Sequence, residues 1–243
     1  MLISIVVPAF NEEKLLPSCL AAIHRAREVF SPFGWRSEIV VCNNNSTDRT
    51  GEVAEKAGAR VVFEAVNRIS TARNTGARAA HGDWLVFVDA DSEPSPDLFR
   101  AVARLIRAGN VIGGGALMSF PEKSLIGSSS LLLWNALSRL ARLGAGAFLF
   151  AETAAFRRMG GFDDALYASE EIRFSIKLGL LGGSQGKRFH IISHPRQLTS
   201  SRKLRLYSWN DMIPRILRMV FFLPFAVRNR EACSFWYDGR RET

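Results

Sequence analysis

Over the first half of the chain, short apolar runs alternate with stretches in which apolar and polar residues recur at helical spacing. Ile3–Val7 reads as a first strand, ended by Pro8, and a helix is expected from about Glu12 to Arg27. A loop around Ser31-Pro-Phe-Gly34 leads to a second strand, Glu38–Cys42. Ser46 or Thr47 can cap a helix that runs to about Ala57 and is terminated by Gly58. Arg60–Phe63 is predicted as a third strand, Ser70–Ala80 as a helix, and Trp84–Val88 as a fourth strand. This last run is bulky and apolar without period-two alternation, as expected of a strand buried on both faces. The strand–helix rhythm predicts a largely parallel sheet with helices on both sides.

The second half continues with a helix at about Asp97–Arg107 and a strand Val111–Phe120 that contains Gly113-Gly-Gly115. Those glycines do not open a helix, so they predict a bulge or a close backbone approach rather than a dinucleotide loop. An apolar helix Leu125–Leu143, broken at Gly144-Ala-Gly146, is followed by a short strand Ala147–Ala151 and a helix Thr153–Met159. Gly160-Gly-Phe-Asp163 is a turn, Ser169–Leu181 a helix led by Glu170-Glu171, and Arg188–Ile192 an expected edge strand.

Asp89-Ala90-Asp91 stands at the end of the buried fourth strand. Two carboxylates there are costly unless a cation or hydrogen-bonding ligand meets them, and ligands of open α/β sheets bind outside the carboxyl ends of the strands. Hard oxygen donors at this spacing suit Mg²⁺ or Mn²⁺, which in turn bind a diphosphate.

Composition narrows the partners. The chain has 243 residues and is 47% apolar, enough for one large domain. Cys19, Cys42 and Cys233 match no zinc or disulfide pattern, which points to a reducing, cytoplasmic setting. Met1–Val7 has neither the basic start nor the cleavage site of a signal peptide. Of the net charge of +9, the residues from Lys187 onward supply +8, with 12 Lys/Arg against 4 Asp/Glu. No nucleic-acid motif accompanies that charge, so a diphosphate or an anionic lipid is the expected partner. Asp211–Val227 combines an apolar run with Arg215 and Arg218; it is too short and charged to span a bilayer. It reads as an interfacial helix, or alternatively as a helix packed on the core.

Four segments, VVPAFNEE (6–13), VVCNNNSTDRT (40–50), RNTGARAAHGDWLVFVDADS (73–92) and GGFDDALYASEEIRFSIKL (160–178), together resemble family 2 glycosyltransferases of the GT-A fold. The resemblance implies a Rossmann-like three-layer α/β/α sandwich with a mostly parallel central sheet. It also implies a nucleotide half of about 1–120 and an acceptor half of about 121–205; the charge and apolar pattern set 206–243 apart as a basic amphipathic tail, expected to associate with a membrane. The implied activity is metal-dependent, inverting transfer of a sugar from a nucleotide-diphosphate donor, UDP favoured, to an acceptor hydroxyl on a lipid-linked intermediate or envelope glycan. A nucleotide-sugar-binding protein without catalysis and a sugar-phosphate nucleotidyltransferase are the alternatives.

By the same resemblance, Asp91 meets the metal directly, and Asp89, with Ala90 between them, faces the ribose or the metal's water shell. Glu171 is the general base, with Glu170 the next candidate; Arg173 stands where many relatives carry a third acid. Pro8, Ala9, Phe10 and Glu12 form the wall beneath base and ribose. Asn43 and Asn44 stand where relatives read uracil with an aspartate, or else serve their own turn. Arg73 meets a phosphate, braces Asp89, or makes a purely structural ion pair. His194 is a candidate third metal ligand, and Arg196, Arg202, Lys203 and Arg205 form a basic segment able to close over the diphosphate. The expected location is cytoplasmic, peripheral at the inner membrane face.

Overall fold

The computed structural model describes residues 1–120, 125–200, 227–229, 231 and 233. Its order of elements is β1 (Leu2–Ala9), α1 (Leu16–Arg27), a 3₁₀ turn (Glu28–Phe33), β2 (Arg36–Asn43), α2 (Thr50–Lys56), β3 (Arg60–Phe63), α3 (Ile69–Ala79) and β4 (Trp84–Val88). It continues with β5 (Ser92–Glu93), α4 (Pro96–Ala108), β6 (Val111–Ser119), α5 (Leu125–Ala141), β7 (Phe148–Glu152), α6 (Thr153–Arg158), α7 (Glu170–Gly183) and β8 (Arg188–Thr199).

One eight-stranded sheet has the order β3-β2-β1-β4-β7-β6-β8-β5. The pairs β1–β2, β1–β4, β2–β3 and β6–β8 are parallel. β7 runs antiparallel to both β4 and β6, and the two-residue β5 runs antiparallel to β8. Period-two alternation sorts the central strands into two cores. Ile3, Ile5, Val7, Val86, Val88, Phe148 and Phe150 face a core completed by Leu20, Ile23 and Phe99. Val6, Leu85, Phe87, Leu149 and Ala151 face the other, with Phe156, Phe162, Phe174 and Leu178. The result is the expected α/β/α layering.

Within the second core Phe87, Phe156, Phe162 and Phe174 form one aromatic cluster, with Phe162 stacked on Phe174 at 4.4 Å between centroids. Phe162 belongs to the glycine-rich turn and Phe174 to α7, so this cluster anchors the segment carrying Glu170 and Glu171 to β4. On the same side Gly76 lets α3 lie close against β1, since a Cβ there would stand 2.5 Å from Val6 Cγ1.

Several element boundaries depart from expectation for local reasons. α1 begins at Leu16 because Pro17 favours the first helical turn, while Glu12–Leu15 form a turn whose carbonyl at Glu12 takes the N–H groups of Leu15 and Leu16. α2 begins at Thr50, held by Asp48, because Ser46 and Thr47 are spent on Asn11. β1 continues through Pro8, which lies past the last residue paired with β4. β8 is not an edge strand: it is 12 residues long and lies between β6 and β5. Gly113–Gly115 do serve close approach, because a Cβ on Gly114 would overlap the His190 carbonyl of β8 and the Phe150 ring of β7.

Phe174→Ala should destabilise the fold by about 3–5 kcal/mol, the usual cost of deleting a buried aromatic side chain. Urea unfolding monitored by circular dichroism checks this; a loss below about 1 kcal/mol would mean the cluster does not hold α7.

Candidate active site

The carboxyl ends of three adjacent parallel strands, β2, β1 and β4, meet at one edge of the molecule. Asn43 ends β2, Pro8 and Ala9 end β1, and Asp89 follows β4. Loops knit these ends together. The Ala9 carbonyl accepts the Asn44 N–H, Asn11 N donates to Ser46 Oγ, Glu12 N to Thr50 Oγ1 and Glu13 N to Asp48 Oδ2. Asn11 and Asn45 both adopt positive φ, at 53° and 60°, a conformation asparagine tolerates better than most residues. At this edge Pro8 and Phe10 are half-buried, and Ala9 and Glu12 are buried.

The two asparagines differ from each other. Asn44 is buried, and its amide is fully engaged with the neighbouring loop: Nδ2 donates to the Glu64 and Val66 carbonyls and Oδ1 accepts from Arg68 N. The Asn44 amide thus ties the end of β2 to the Glu64–Arg68 loop, rather than to its own turn or toward a base. Asn43 uses Oδ1 to accept the Ser46 N–H and remains half-buried at the strand end.

Asp89-Ala90-Asp91 forms a pinned turn. Asp89 N donates to the Ala147 carbonyl at 3.4 Å, Ser92 N to the Asp89 carbonyl at 3.0 Å, and Ser200 N to the Asp91 carbonyl at 3.1 Å. Buried Ser92 and Thr199 join their hydroxyls across β5 and β8 at 3.0 Å. Ala90 turns its methyl into the core, so it can meet a ligand through its backbone only. The Cys19 thiol lies beneath this turn, donating to the Asp89 carbonyl; burial and the Asp91 charge push it far up, so it stays protonated. Asp89 and Asp91 both stay half-buried.

Arg73 of α3 is the centre of the site. It is 2% exposed, and its guanidinium donates through Nη1 to Glu170 Oε1 at 2.7 Å and through Nη2 to Asp89 Oδ1 at 2.9 Å. Nη2 also reaches the Gly146 carbonyl at 3.2 Å, and the group lies 5.3 Å over the Phe162 ring. Burial opposes its charge, but Asp89 and Glu170 more than offset that, so it is held firmly cationic. Arg73 is thus ion-paired to both Asp89 and Glu170. Gly146 is required here, since a Cβ would come within 2.7 Å of Nη2.

The next residue, Asn74, fastens the turn before α7. Its Nδ2 donates to the Phe162 carbonyl and to Asp164 Oδ1, and its Oδ1 accepts from Phe162 N, each at 2.9 Å. Arg68 reaches the Asp164 carbonyl and the Tyr167 hydroxyl, and lies over the Tyr167 ring. Arg173 pairs with Asp163. Ser169, the residue before Glu170, is left-handed at φ 62°, a strained conformation for a non-glycine residue.

Glu171 is half-buried, and its carboxyl group is pushed up to about 8 by burial and by the adjacent Glu170, against the pull of Arg73. Glu170 is thus the structural partner of Arg73, and Glu171 is the carboxylate left over, with a proton affinity suited to acid–base work near neutrality.

His194 does not join this group. It is exposed on a bulge of β8, where Ala116 pairs with Ile192 and Met118 with Gln197. Among the described residues no three His, Cys, Asp or Glu side chains stand close enough together to hold a metal ion. Arg196 is exposed, while Arg202, Lys203, Arg205, Arg215 and Arg218 lie outside the described residues. Val227 is buried, not interfacial: its carbonyl accepts the Tyr167 N–H at 2.6 Å, and with Cys233 it packs on Leu166 and Ala168. Sequence reasoning missed Asn74, Gly146, Phe162 and this C-terminal contact, because each acts through partners about 60 or more residues away in the chain.

Replacing Arg73 with Met should cost about 3–5 kcal/mol of stability, because it strands buried Glu170 without its cation. The further exchange Glu170→Gln should recover part of that loss. Thermal unfolding of the single and double variants checks this; losses that merely add would show that the pair is not coupled.

A model of the family described as "Glycosyl transferase family 2" matches residues 4–160. Glycosyltransferase EpsJ of Bacillus subtilis (strain 168), described as uncharacterized, is 36% identical over 104 residues, 41% of this chain and 28% of that protein. A dolichol-phosphate mannosyltransferase of Pyrococcus furiosus is 29% identical over 121 residues, 48% of this chain and 33% of that protein. The matched stretches therefore span well under half of either relative. Among solved structures, glucosyl-3-phosphoglycerate synthase from Mycobacterium tuberculosis, in complex with Mn²⁺, UDP-glucose and phosphoglyceric acid, aligns with a TM-score of 0.62 at 21% identity. That alignment covers 96% of this chain and 79% of the synthase, and it shows a shared fold. The half-buried aspartates after β4, the carboxylates opening α7 and the family match over more than half of the chain lead to one conclusion: this protein belongs to glycosyl transferase family 2.

Proposed function

We propose that this glycosyltransferase moves a sugar from a nucleoside-diphosphate donor, UDP favoured, to an acceptor hydroxyl, with Glu171 as the general base. The observation that carries this reading is the Arg73 bridge, which holds the Asp89 turn and the Glu170–Glu171 pair around one buried cation. A donor diphosphate over Asp89 and Asp91 would then present its sugar toward Glu171.

The donor set fits a divalent cation. Mg²⁺ and Mn²⁺ sites that hold nucleotides use one or two carboxylates and complete their shells with phosphate oxygens and water, so a third protein ligand is not needed. Asp91, with the oxygen of Asp89 not bound to Arg73, would hold it; when bound, the cation offsets charge on the leaving diphosphate. The Mn²⁺ and UDP-glucose named for the mycobacterial synthase support both donor and metal. Pro8, Ala9, Phe10 and Glu12 would floor the nucleotide, with Asn43 offering its amide to the base.

Glu171 takes the acceptor proton as the hydroxyl oxygen attacks the anomeric carbon from the face opposite the diphosphate, which inverts the configuration. Arg73 touches neither reactant; it positions Asp89 and Glu170. The lipid phosphate in the name of the Pyrococcus relative supports a lipid-linked acceptor. The basic tail supports peripheral contact with an anionic membrane.

A thermal-shift screen of nucleotide sugars, with and without Mn²⁺, followed by product analysis, tests the reading. Stabilisation by one donor that requires the cation, with slow release of nucleoside diphosphate, is expected; release of pyrophosphate would instead mark a nucleotidyltransferase.

Asp91→Ala should abolish cation-dependent donor binding while the protein stays folded. Calorimetry that finds unchanged affinity and unchanged Mn²⁺ dependence would remove Asp91 from the metal site.

Glu171→Gln should keep donor binding and lower turnover by at least about a hundredfold. In the parent, turnover should rise with pH through about 8, as the base ionises. Stability should move the other way. A carboxyl whose folded pKa is raised holds its proton longer in the folded state, so its contribution is complete below the unfolded pKa and lost as pH rises through about 8. The parent should therefore lose melting temperature relative to Glu171→Gln between about pH 5 and about pH 8, with no further divergence above that. Parallel melting curves would contradict this assignment.

A further inference from the structure

Among the described side chains of helix α5, the buried ones are polar: Asn135, 5% exposed, donates to the Met118 carbonyl and accepts the Met118 N–H, and Ser138, 1% exposed, donates to the Leu143 carbonyl. Leu132, Leu137 and Leu140 face away from the protein, exposed by 61%, 48% and 84%, while Leu131 is half-buried. Ala136 and Ala141 are exposed between them, so the outward side is a continuous apolar arc rather than a lone leucine. A soluble helix normally buries such a face against its own sheet. Here Asn135 fixes the helix to β6 and Ser138 fastens the chain just past the helix end, and Leu132, Leu137 and Leu140 are left turned outward.

We propose that this face of α5 docks on an anionic lipid surface. Charge selects that occupant. No Asp or Glu occurs from Leu125 to Arg142, whereas Arg139 and Arg142 flank the leucines and are exposed. The chain's own tail is also strongly basic, so it shares the helix's sign and is not its complement. An anionic headgroup layer over hydrocarbon complements both the arginines and the leucines. The same face on a second copy would again set arginine against arginine.

Position gives the contact a use. The helix runs into residues 143–147, where Gly144 N donates to Ser175 of α7, the Gly146 carbonyl accepts from Arg73 and the Ala147 carbonyl accepts from Asp89 N. A membrane held against α5 would therefore lie a few residues from the groups that set the active site, within reach of a lipid-borne acceptor. This inference rests on the membrane contact proposed above and names the surface that makes it.

Cys19, Cys42 and Cys233 are all buried, so Leu140→Cys in the full chain offers one accessible thiol for an environment-sensitive fluorophore. With vesicles of phosphatidylcholine and phosphatidylglycerol the label should shift to the blue and be quenched by brominated acyl chains; with phosphatidylcholine alone it should change little. Leu132→Gln, Leu137→Gln and Leu140→Gln combined should weaken vesicle binding by at least about tenfold with an unchanged melting curve, since all three side chains start exposed. A vesicle-bound protein whose label stays in water, or whose triple variant binds as well as the parent, overturns the helix surface and leaves membrane contact to the tail. A label already blue before vesicles are added shows the face covered by protein and also overturns it. Protein that ignores both kinds of vesicle overturns the membrane reading as well.

Discussion

The site depends on one buried guanidinium. Arg73 is nearly out of water, and such a charge persists only where carboxylates and carbonyls replace its hydration. Its partners come from three places in the chain: Asp89 after β4, Gly146 before β7 and Glu170 at the start of α7. Folding must bring all three together or leave a charge stranded. The pairing that makes the charge tolerable also joins the Asp89 turn to the start of α7, where Glu171 lies.

Around that pairing, apolar packing does the positioning. The Phe87–Phe156–Phe162–Phe174 cluster ties β4 to α7, and Gly76 keeps α3 close enough to the sheet for Arg73 and Asn74 to reach both. The cost appears at two points. Ser169 is held left-handed at the entrance to α7, and Glu171 shares a crowded, partly enclosed space with Glu170. Both are conditions a fold selected for stability alone would relax, and both are where proton transfer is proposed to occur.

Much of this was legible in the sequence because local patterning coincides with the tertiary environment. β4 was delimited to the residue because each of its five positions is buried, so no alternation obscured it. Asp89 and Asp91 stood out by residue type and spacing, and Glu171 through the resemblance of its segment to the family's pattern. What escaped was non-local. Asn44 reads as a base contact until the loop at Glu64–Arg68 is seen to use its whole amide. β8 reads as a short edge strand because its bulge interrupts the apolar pattern, although β5 covers its far side. In α5 the apolar pattern marked a helix correctly but not which way it faces, since that depends on the backbone groups that Asn135 and Ser138 find.

The account's central claim is that a single carboxylate, Glu171, activates the nucleophile directly on the face opposite the diphosphate. Proton NMR of the sugar first released when the enzyme hydrolyses an α-linked nucleotide-sugar donor tests this most directly. Water then takes the acceptor's place, and the account predicts the β-anomer ahead of mutarotation. Release of the α-anomer would contradict it, because a single displacement from the face opposite the diphosphate inverts the configuration.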